Sequence, residues 1–127
     1  MPQFSMNESR RPILEQLPDY SIEITRSQHH ITVRSDNIVL AESDEALLLQ
    51  ETRHEDIFYL PRRDVNLSLL RPTDLSTYCP FKGHACYWRL NETQINFVWS
   101  YEDPYPEVEA IRSYLSFYTD KVLVETK

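Results

Sequence analysis

Glycine is nearly absent from this sequence, which has one, Gly83, in 127 residues. A chain of average composition and this length carries several, so we expect Gly83 to stand where the backbone needs a positive φ. Its segment, residues 77–87, also contains both cysteines, and Pro80 fixes φ shortly before it. The pattern predicts a tight turn with Lys82 at its tip or just inside the bend, and with Cys79 at its foot.

Basic residues and long apolar runs are also scarce. Lys and Arg number 13 against 20 Asp and Glu, a net charge of −7, and such a surface repels the phosphates of nucleic acids. No stretch approaches the roughly 18 apolar residues that a membrane-spanning helix needs. The first residues contain no apolar segment typical of a secretory signal. We therefore expect a cytoplasmic protein with neither a nucleic-acid nor a membrane partner.

The two cysteines and four histidines do not form a metal-site pattern. Cys79 and Cys86 are separated by six residues with no second pair, which excludes a four-thiolate zinc site, so we expect free thiols and no structural zinc. His29 and His30 are adjacent and would point to opposite faces of a strand. His84 and Cys86 would share a face, but no third ligand lies nearby in the sequence. We expect no metal, and the sequence identifies no cofactor.

What the sequence does contain is a series of short segments that alternate apolar and polar residues, and these predict β-strands. The clearest are residues 20–25, 31–34, 38–41, 57–60, 65–69, 85–90, 95–100 and 122–124. Residues 43–51 are ambiguous, since a Ser or Asp cap before Ala-Leu-Leu-Leu fits one or two helical turns as well as extended chain. After Pro106, the helical spacing of Val108, Ile111 and Leu115 predicts one short C-terminal helix.

These segments together predict a mainly β fold. A turn is expected at residues 71–74. Residues 1–17 are polar and show no sustained period, so we expect a mobile N-terminal arm, followed by a single β-rich domain over residues 18–127.

Four ordered blocks contain most of the distinctive residues of the chain. They are Tyr59-x-Pro61-Arg62-x-Asp64-Val65, Cys79-Pro80-x-Lys82-Gly83-x-Ala85-x-Tyr87, Trp99-x-Tyr101-x-x-Pro104-x-Pro106-Glu107-Val108 and Phe117-Tyr118-x-Asp120-Lys121-Val122. With residues 39–51, these blocks resemble the bacterial and fungal family called domain of unknown function 427 (DUF427), over roughly residues 20–125.

The resemblance implies a β-tent, in which two antiparallel sheets fold over each other. This outline is similar to that of methionine sulfoxide reductase B and the ligand-binding domain of cereblon. A family label suggests nucleotidyl transfer, but that chemistry needs a Gly-Ser turn and paired aspartates for two metal ions. One glycine and no Asp-x-Asp pair argue against it.

Two cations and two carboxylates in these blocks are candidates for a site. The guanidinium of Arg62 could bind a carboxylate or phosphate through two hydrogen bonds, and the ammonium of Lys82 could bind the same anion. Asp64 or Glu107 would serve as a catalytic base. The structural alternative is an internal brace, with Lys82 paired to Asp64, and with Glu107 in a favourable position at a helix start.

Aromatic residues supply the candidate walls of the same site. Tyr87, Trp99 and Tyr101 have the parity to share one face and hold the organic part of a ligand, although plain core packing explains them as well. Cys79 is either a thiol activated by Lys82 or a small buried side chain that is inert.

The sequence predicts a small domain that binds a small anionic metabolite in a pocket of Arg, Lys and aromatic side chains. The prediction includes the possibility that the domain also catalyses a reaction of this metabolite. The alternative is a non-catalytic interaction or regulatory domain that forms homo-oligomers through an exposed strand edge. The sequence leaves open whether the chain is an enzyme.

Overall fold

The computed structural model describes residues 17–127, so most of the arm predicted for residues 1–17 lies outside the described residues. The chain is mainly β, as predicted. The strands in the described part of the chain are β1 (Ile22–Arg26), β2 (Ile31–Ser35), β3 (Ile38–Ser43), β4 (Leu47–Glu51), β5 (Ile57–Tyr59), β6 (Arg71–Cys79), β7 (Gly83–Arg89), β8 (Val98–Ser100), β9 (Leu115–Phe117) and β10 (Leu123–Thr126). Short 3-10 segments lie at Arg62–Asp64, Leu67–Leu69 and Pro106–Ile111.

The strands form three antiparallel sheets, with the orders β1-β4-β5, β10-β2-β3 and β6-β7-β8-β9. The first and third sheets are linked by one antiparallel bridge between Leu60 and Leu115. Each backbone N–H of this pair donates to the carbonyl of the other, at 2.8 and 2.9 Å. This bridge hydrogen-bonds Leu60, the residue after β5, to Leu115, the first residue of β9.

Three predictions about these elements are wrong. The expected two sheets are three, and residues 71–74 begin strand β6 instead of forming a turn. Residues 67–69, expected in a strand, form a 3-10 turn closed by the bond from Leu70 N–H to Leu67 O. Tertiary contacts override a two-residue period in such short segments.

The predicted C-terminal helix is also wrong. The segment Pro106–Ile111 is 3-10, and Val108 inside it has non-helical dihedrals of φ −123° and ψ 29°. Val108 and Ile111 are fully buried, which explains the apolar spacing. A 3-10 turn places side chains three residues apart on the same face, so it buries both Val108 and Ile111. A segment this short also has little stability as an α-helix on its own.

The tight turn at the only glycine is confirmed. Lys82 N–H donates to Cys79 O at 3.2 Å between β6 and β7, and Gly83 has φ +116°. A Cβ at Gly83 would lie 3.4 Å from Asp103 O. The position therefore needs glycine both for its dihedral and for the close approach of a neighbouring backbone.

The buried side chains form two clusters, which use the two faces of β7. Trp88 belongs to the first cluster, while Ala85 and Tyr87 belong to the second. The first includes Ile31, Val33, Leu40, Leu60, Phe97, Leu115 and Phe117; the second includes Leu49, Tyr59, Trp99, Tyr101, Val108 and Ile111. This division determines which candidate site residues can meet.

Within residues 17–127, no helix has the length and apolar character needed to cross a bilayer.

Candidate functional site

Lys82 forms a buried ion pair with Glu51. The ammonium nitrogen lies 2.6 Å from Glu51 Oε1, and the two side chains are only 8% and 4% exposed. The β6–β7 turn directs Lys82 inward, and β4 ends at Glu51. Lys82 therefore pairs with Glu51, and the alternative that paired it with Asp64 is wrong. The attraction between the two charges offsets the free-energy cost of removing both from water.

Two further groups surround the carboxylate of Glu51. The phenol of Tyr20 donates to Oε2, and His54 Nε2 lies 4.0 Å from the same oxygen. Burial, followed by the hydrogen bond to Glu51, raises the pKa of Tyr20 well above its ordinary value. The ring of Tyr20 stacks on Phe81 with centroids 4.4 Å apart, so the turn residue next to Lys82 covers this site.

The predicted aromatic residues come together in the second core cluster. Tyr87 and Trp99 are directly paired across β7 and β8, and both are buried, as is Tyr101. Trp99 Nε1 donates to the phenol oxygen of Tyr59 at 3.2 Å, and burial raises the pKa of Tyr59 and Tyr101. Core packing accounts for their burial, and a role in holding a ligand stays a prediction.

Arg62 has a different environment from Lys82. Its terminal nitrogen donates to Glu102 Oε2 at 2.7 Å and its Nε donates to Ser113 O at 3.2 Å. The guanidinium carbon lies 5.4 Å from the centre of the Trp88 ring. Trp88 projects from the opposite face of β7 to Tyr87. The two cations thus have separate carboxylate partners, and neither lines the cavities described below.

The two candidate bases also lie on different segments. Asp64, in the first 3-10 turn, accepts a hydrogen bond from Ser43 Oγ at 2.6 Å. It lines a polar hollow with His30, Glu42, Ser43, Asp44, Glu45 and Arg63. Glu107 is half-buried in the segment Pro106–Ile111. Asp64 therefore has a structural role, tying the turn after β5 to the end of β3.

His30 lies between two carboxylates in this polar hollow. Its Nδ1 lies 2.6 Å from Asp44 and its Nε2 lies 2.8 Å from Glu42. Hydrogen bonding to Glu42, then to Asp44, raises the pKa of His30, because only the imidazolium can donate to both. Within residues 17–127, no three His, Cys, Asp or Glu side chains are arranged to hold a metal ion.

Cys79 and Cys86 are both free thiols and half-buried. Cys79 packs against the second cluster, whereas Cys86 is next to the first. Burial, followed by the negative charge of Glu102, raises the pKa of Cys86. The structure therefore gives Cys86 the environment of an unreactive thiol.

A cavity of about 210 Å³ lies between the sheets. Strands β2 and β10 form one wall with Ile31, Val33 and Val124. The other wall is formed by the β5 segment, by Trp99 and by residues 116–119, which include Phe117 and Tyr118. The walls are mainly apolar, and the hydroxyl of Ser116 is already bonded to Phe58 O at 2.8 Å. The cavity thus offers mainly apolar surface with few polar contacts inside.

The lining of the cavity also includes exposed acidic and aromatic groups. Glu55 and Asp56 line it and are exposed. Tyr118, 42% exposed, lies against Trp99 with ring centroids 4.6 Å apart. Burial and a hydrogen bond to Tyr87 raise the pKa of Tyr118 to about 12. The cavity therefore has an apolar interior and an outer part of carboxylates and rings.

Sequence reasoning did not pair Glu51 with Lys82, did not identify Tyr20, and expected a pocket lined by Arg and Lys in place of the mainly apolar cavity. One signal for Glu51 was present: it stands two residues after Leu49, and alternate residues of a strand share a face. A carboxylate on an apolar face needs a buried cation, and Lys82 is the one that the fold supplies. The apolar lining of the cavity had no comparable signal, because it comes from five separate parts of the chain.

The chain matches one protein-family model, described as a domain of unknown function (DUF427), over residues 23–127. No curated protein matches the chain.

Proposed function

The chain belongs to the DUF427 family, whose description assigns no activity, and we propose that it is a binding domain for a small molecule with an apolar body. The observation that carries this proposal is the cavity of about 210 Å³ with mainly apolar walls. An apolar cavity of about 150 Å³ stays dry and accepts benzene. A ligand of one or two rings therefore suits the volume.

This proposal differs from the sequence prediction in the charge of the ligand. An anion bound by Lys82 would have to displace Glu51, and breaking a buried pair costs about 3–5 kcal/mol. An anion bound by Arg62 would have to displace Glu102. We therefore propose the cavity, and not these cations, as the binding site. Catalysis by Asp64 or Glu107 stays a prediction, and we propose no reaction for either residue.

The sheets give this proposal a structural setting. The Leu60–Leu115 bridge links two of the three sheets, and we propose that these two act as one layer, with the cavity between it and the β10-β2-β3 sheet. This is the two-layer arrangement that the β-tent resemblance implies. A cytoplasmic location, expected from the two unpaired cysteines, remains part of the proposal.

The two tryptophans allow a direct test by NMR. Indole and 2-phenylethanol, both uncharged, are titrated into ¹⁵N-labelled protein. We expect the side-chain N–H signal of Trp99, which lines the cavity, to shift with saturation. The signal of Trp88, under Arg62, should stay in place. Shifts of both signals to the same extent, or of neither, would contradict the proposal.

A matched pair of variants on β10 extends the test. Val124→Phe fills the cavity, whereas Leu123→Phe places the same ring at a neighbour that is 57% exposed and does not line it. We expect the first variant to lose the Trp99 shift and the second to keep it. Circular dichroism of both variants checks that the fold is retained.

A second candidate is the homo-oligomer through a strand edge. Strand β6 is nine residues long, lies at the edge of its sheet, and exposes Leu75 and Tyr78. Its pairing with β7 is irregular between Pro72 and Ser76, which interrupts a continuous edge. Light scattering between about 10 and 500 µM tests it. A constant monomer mass would exclude this candidate.

A further inference from the structure

Glu55 and Asp56, which line the cavity, are paired with no cation among residues 17–127. None of the ion pairs within residues 17–127 involves either carboxylate. Asp56 accepts one hydrogen bond, from the uncharged amide of Gln50 at 3.4 Å. Among the described residues that line the cavity, none is Lys, Arg or His. The cavity therefore has negative charge at the positions where its lining is exposed.

The neighbouring charges do not reverse this sign. The positive charge of Arg53 acts on Tyr20, and His54 Nε2 lies 4.0 Å from Glu51 Oε2, so His54 faces the buried ion pair. On the other side, the charge of Asp120 acts on Tyr118 and is also negative. The net charge of −7 for the whole chain adds to the same field.

We propose that the ligand of this cavity is a small protonated amine, with an apolar body of one or two rings in the cavity and its ammonium group at Glu55 and Asp56. This inference rests on the proposed function and specifies its ligand class. An alkylamine has a pKa near that of Lys, about 10.4, and is charged at neutral pH. Its ammonium would supply the positive charge that the lining lacks.

The aromatic residues of the lining suit the same group. Tyr118 and Trp99 stand next to each other, and a cation within about 6 Å of such ring faces is attracted by their quadrupole. A metal ion is a poorer occupant than an amine. Two carboxylates supply too few protein ligands, and within residues 17–127 no third His, Cys, Asp or Glu completes a metal site.

The test compares three ligands with the same ring: 2-phenylethylamine, 2-phenylethanol and 3-phenylpropanoate. Affinities are measured from the Trp99 signal at low and at high salt. We expect the amine to bind about three- to tenfold more tightly than the alcohol at low salt. The advantage should shrink in about 1 M NaCl, because salt screens exposed charges. The carboxylate should bind most weakly.

A double variant tests the two residues directly. Glu55→Gln with Asp56→Asn removes both charges from exposed positions, so the fold should be unaffected. We expect amine affinity to fall to that of the alcohol, and alcohol affinity to stay unchanged. The control is Glu23→Gln with Asp74→Asn, which removes two charges from exposed positions on β1 and β6 and should leave the preference for amine intact.

Each outcome separates the two proposals. If the amine and the alcohol bind equally, or if the double variant keeps the preference, the amine inference is overturned and the cavity proposal stands. Tighter binding of the carboxylate would overturn the inference in favour of an anionic ligand. If no ligand shifts the Trp99 signal, the cavity proposal fails and the inference fails with it.

Discussion

Lys82 and Glu51 lie 31 residues apart in the chain, and their charged atoms are 2.6 Å apart in a nearly dry environment. The side chain of each is less than one tenth exposed. Both are held by backbone at element ends, Glu51 by the end of β4 and Lys82 by the turn before β7. The pair connects the first sheet to the β6–β7 hairpin, and Tyr20 and Phe81 cover it.

Breaking this pair should be costly. We expect Lys82→Met to lower the free energy of unfolding by about 3–5 kcal/mol, because it leaves the carboxylate of Glu51 buried without a counter-charge. The double variant Lys82→Met with Glu51→Gln should recover part of the loss. Urea unfolding of the three proteins measures both effects. The control Lys121→Met removes an exposed ammonium, and a loss no larger than in this control would contradict the prediction.

His30 should make stability depend on pH near neutrality. Hydrogen bonds to Glu42 and then Asp44 raise its pKa above the ordinary 6.5. The folded state therefore binds the proton more tightly than the unfolded state. This contribution is fully present below about pH 6.5 and is lost as the pH rises through the higher folded pKa.

The variant His30→Gln measures this contribution. We expect the difference in free energy of unfolding between wild type and variant to be largest below about pH 6.5 and to shrink above it. His29→Gln, at an exposed neighbouring position, is the control and should show no such trend. A difference that grows with rising pH would reverse the assigned sign and refute the bridging role of His30.

Cys86 should be a slow nucleophile whose reactivity depends on Glu102. Burial is the first cause of its raised pKa, and the charge of Glu102 is the second. Glu102→Gln removes the second cause and leaves the Arg62 cation nearby, so the thiolate fraction at a given pH should increase. The test is the pH dependence of iodoacetamide labelling in a Cys79→Ala background, followed by mass spectrometry.

We expect the midpoint of that labelling curve to move to lower pH in Glu102→Gln. The variant Glu92→Gln, which removes an exposed carboxylate elsewhere, serves as the control. A midpoint that Glu102→Gln leaves unchanged would contradict the dependence of Cys86 on Glu102.

Local features of the sequence predicted the local structure well. Gly83 is the clearest case, because the φ of +116° and the turn after Pro80 depend on residues within a few positions of each other. Alternation also indicated that Tyr87 and Trp99 share a face, and the register of β7 and β8 pairs them. The helix expected after Pro106 failed because Leu115, the third apolar position of the predicted helix, begins β9, and the remaining two positions do not distinguish an α-helix from 3-10 turns.

The sequence alone determined that the chain is mainly β with a glycine-dependent turn next to Lys82, because both follow from the period and conformational limits of neighbouring residues. The tertiary structure decided that Lys82 meets Glu51, that Arg62 meets Glu102, and that a cavity separates the sheets. Alternation tells which residues of a strand share a face, but not which face of another strand they meet. Which faces meet depends on how all the sheets pack together, so no single segment of the sequence could predict these contacts.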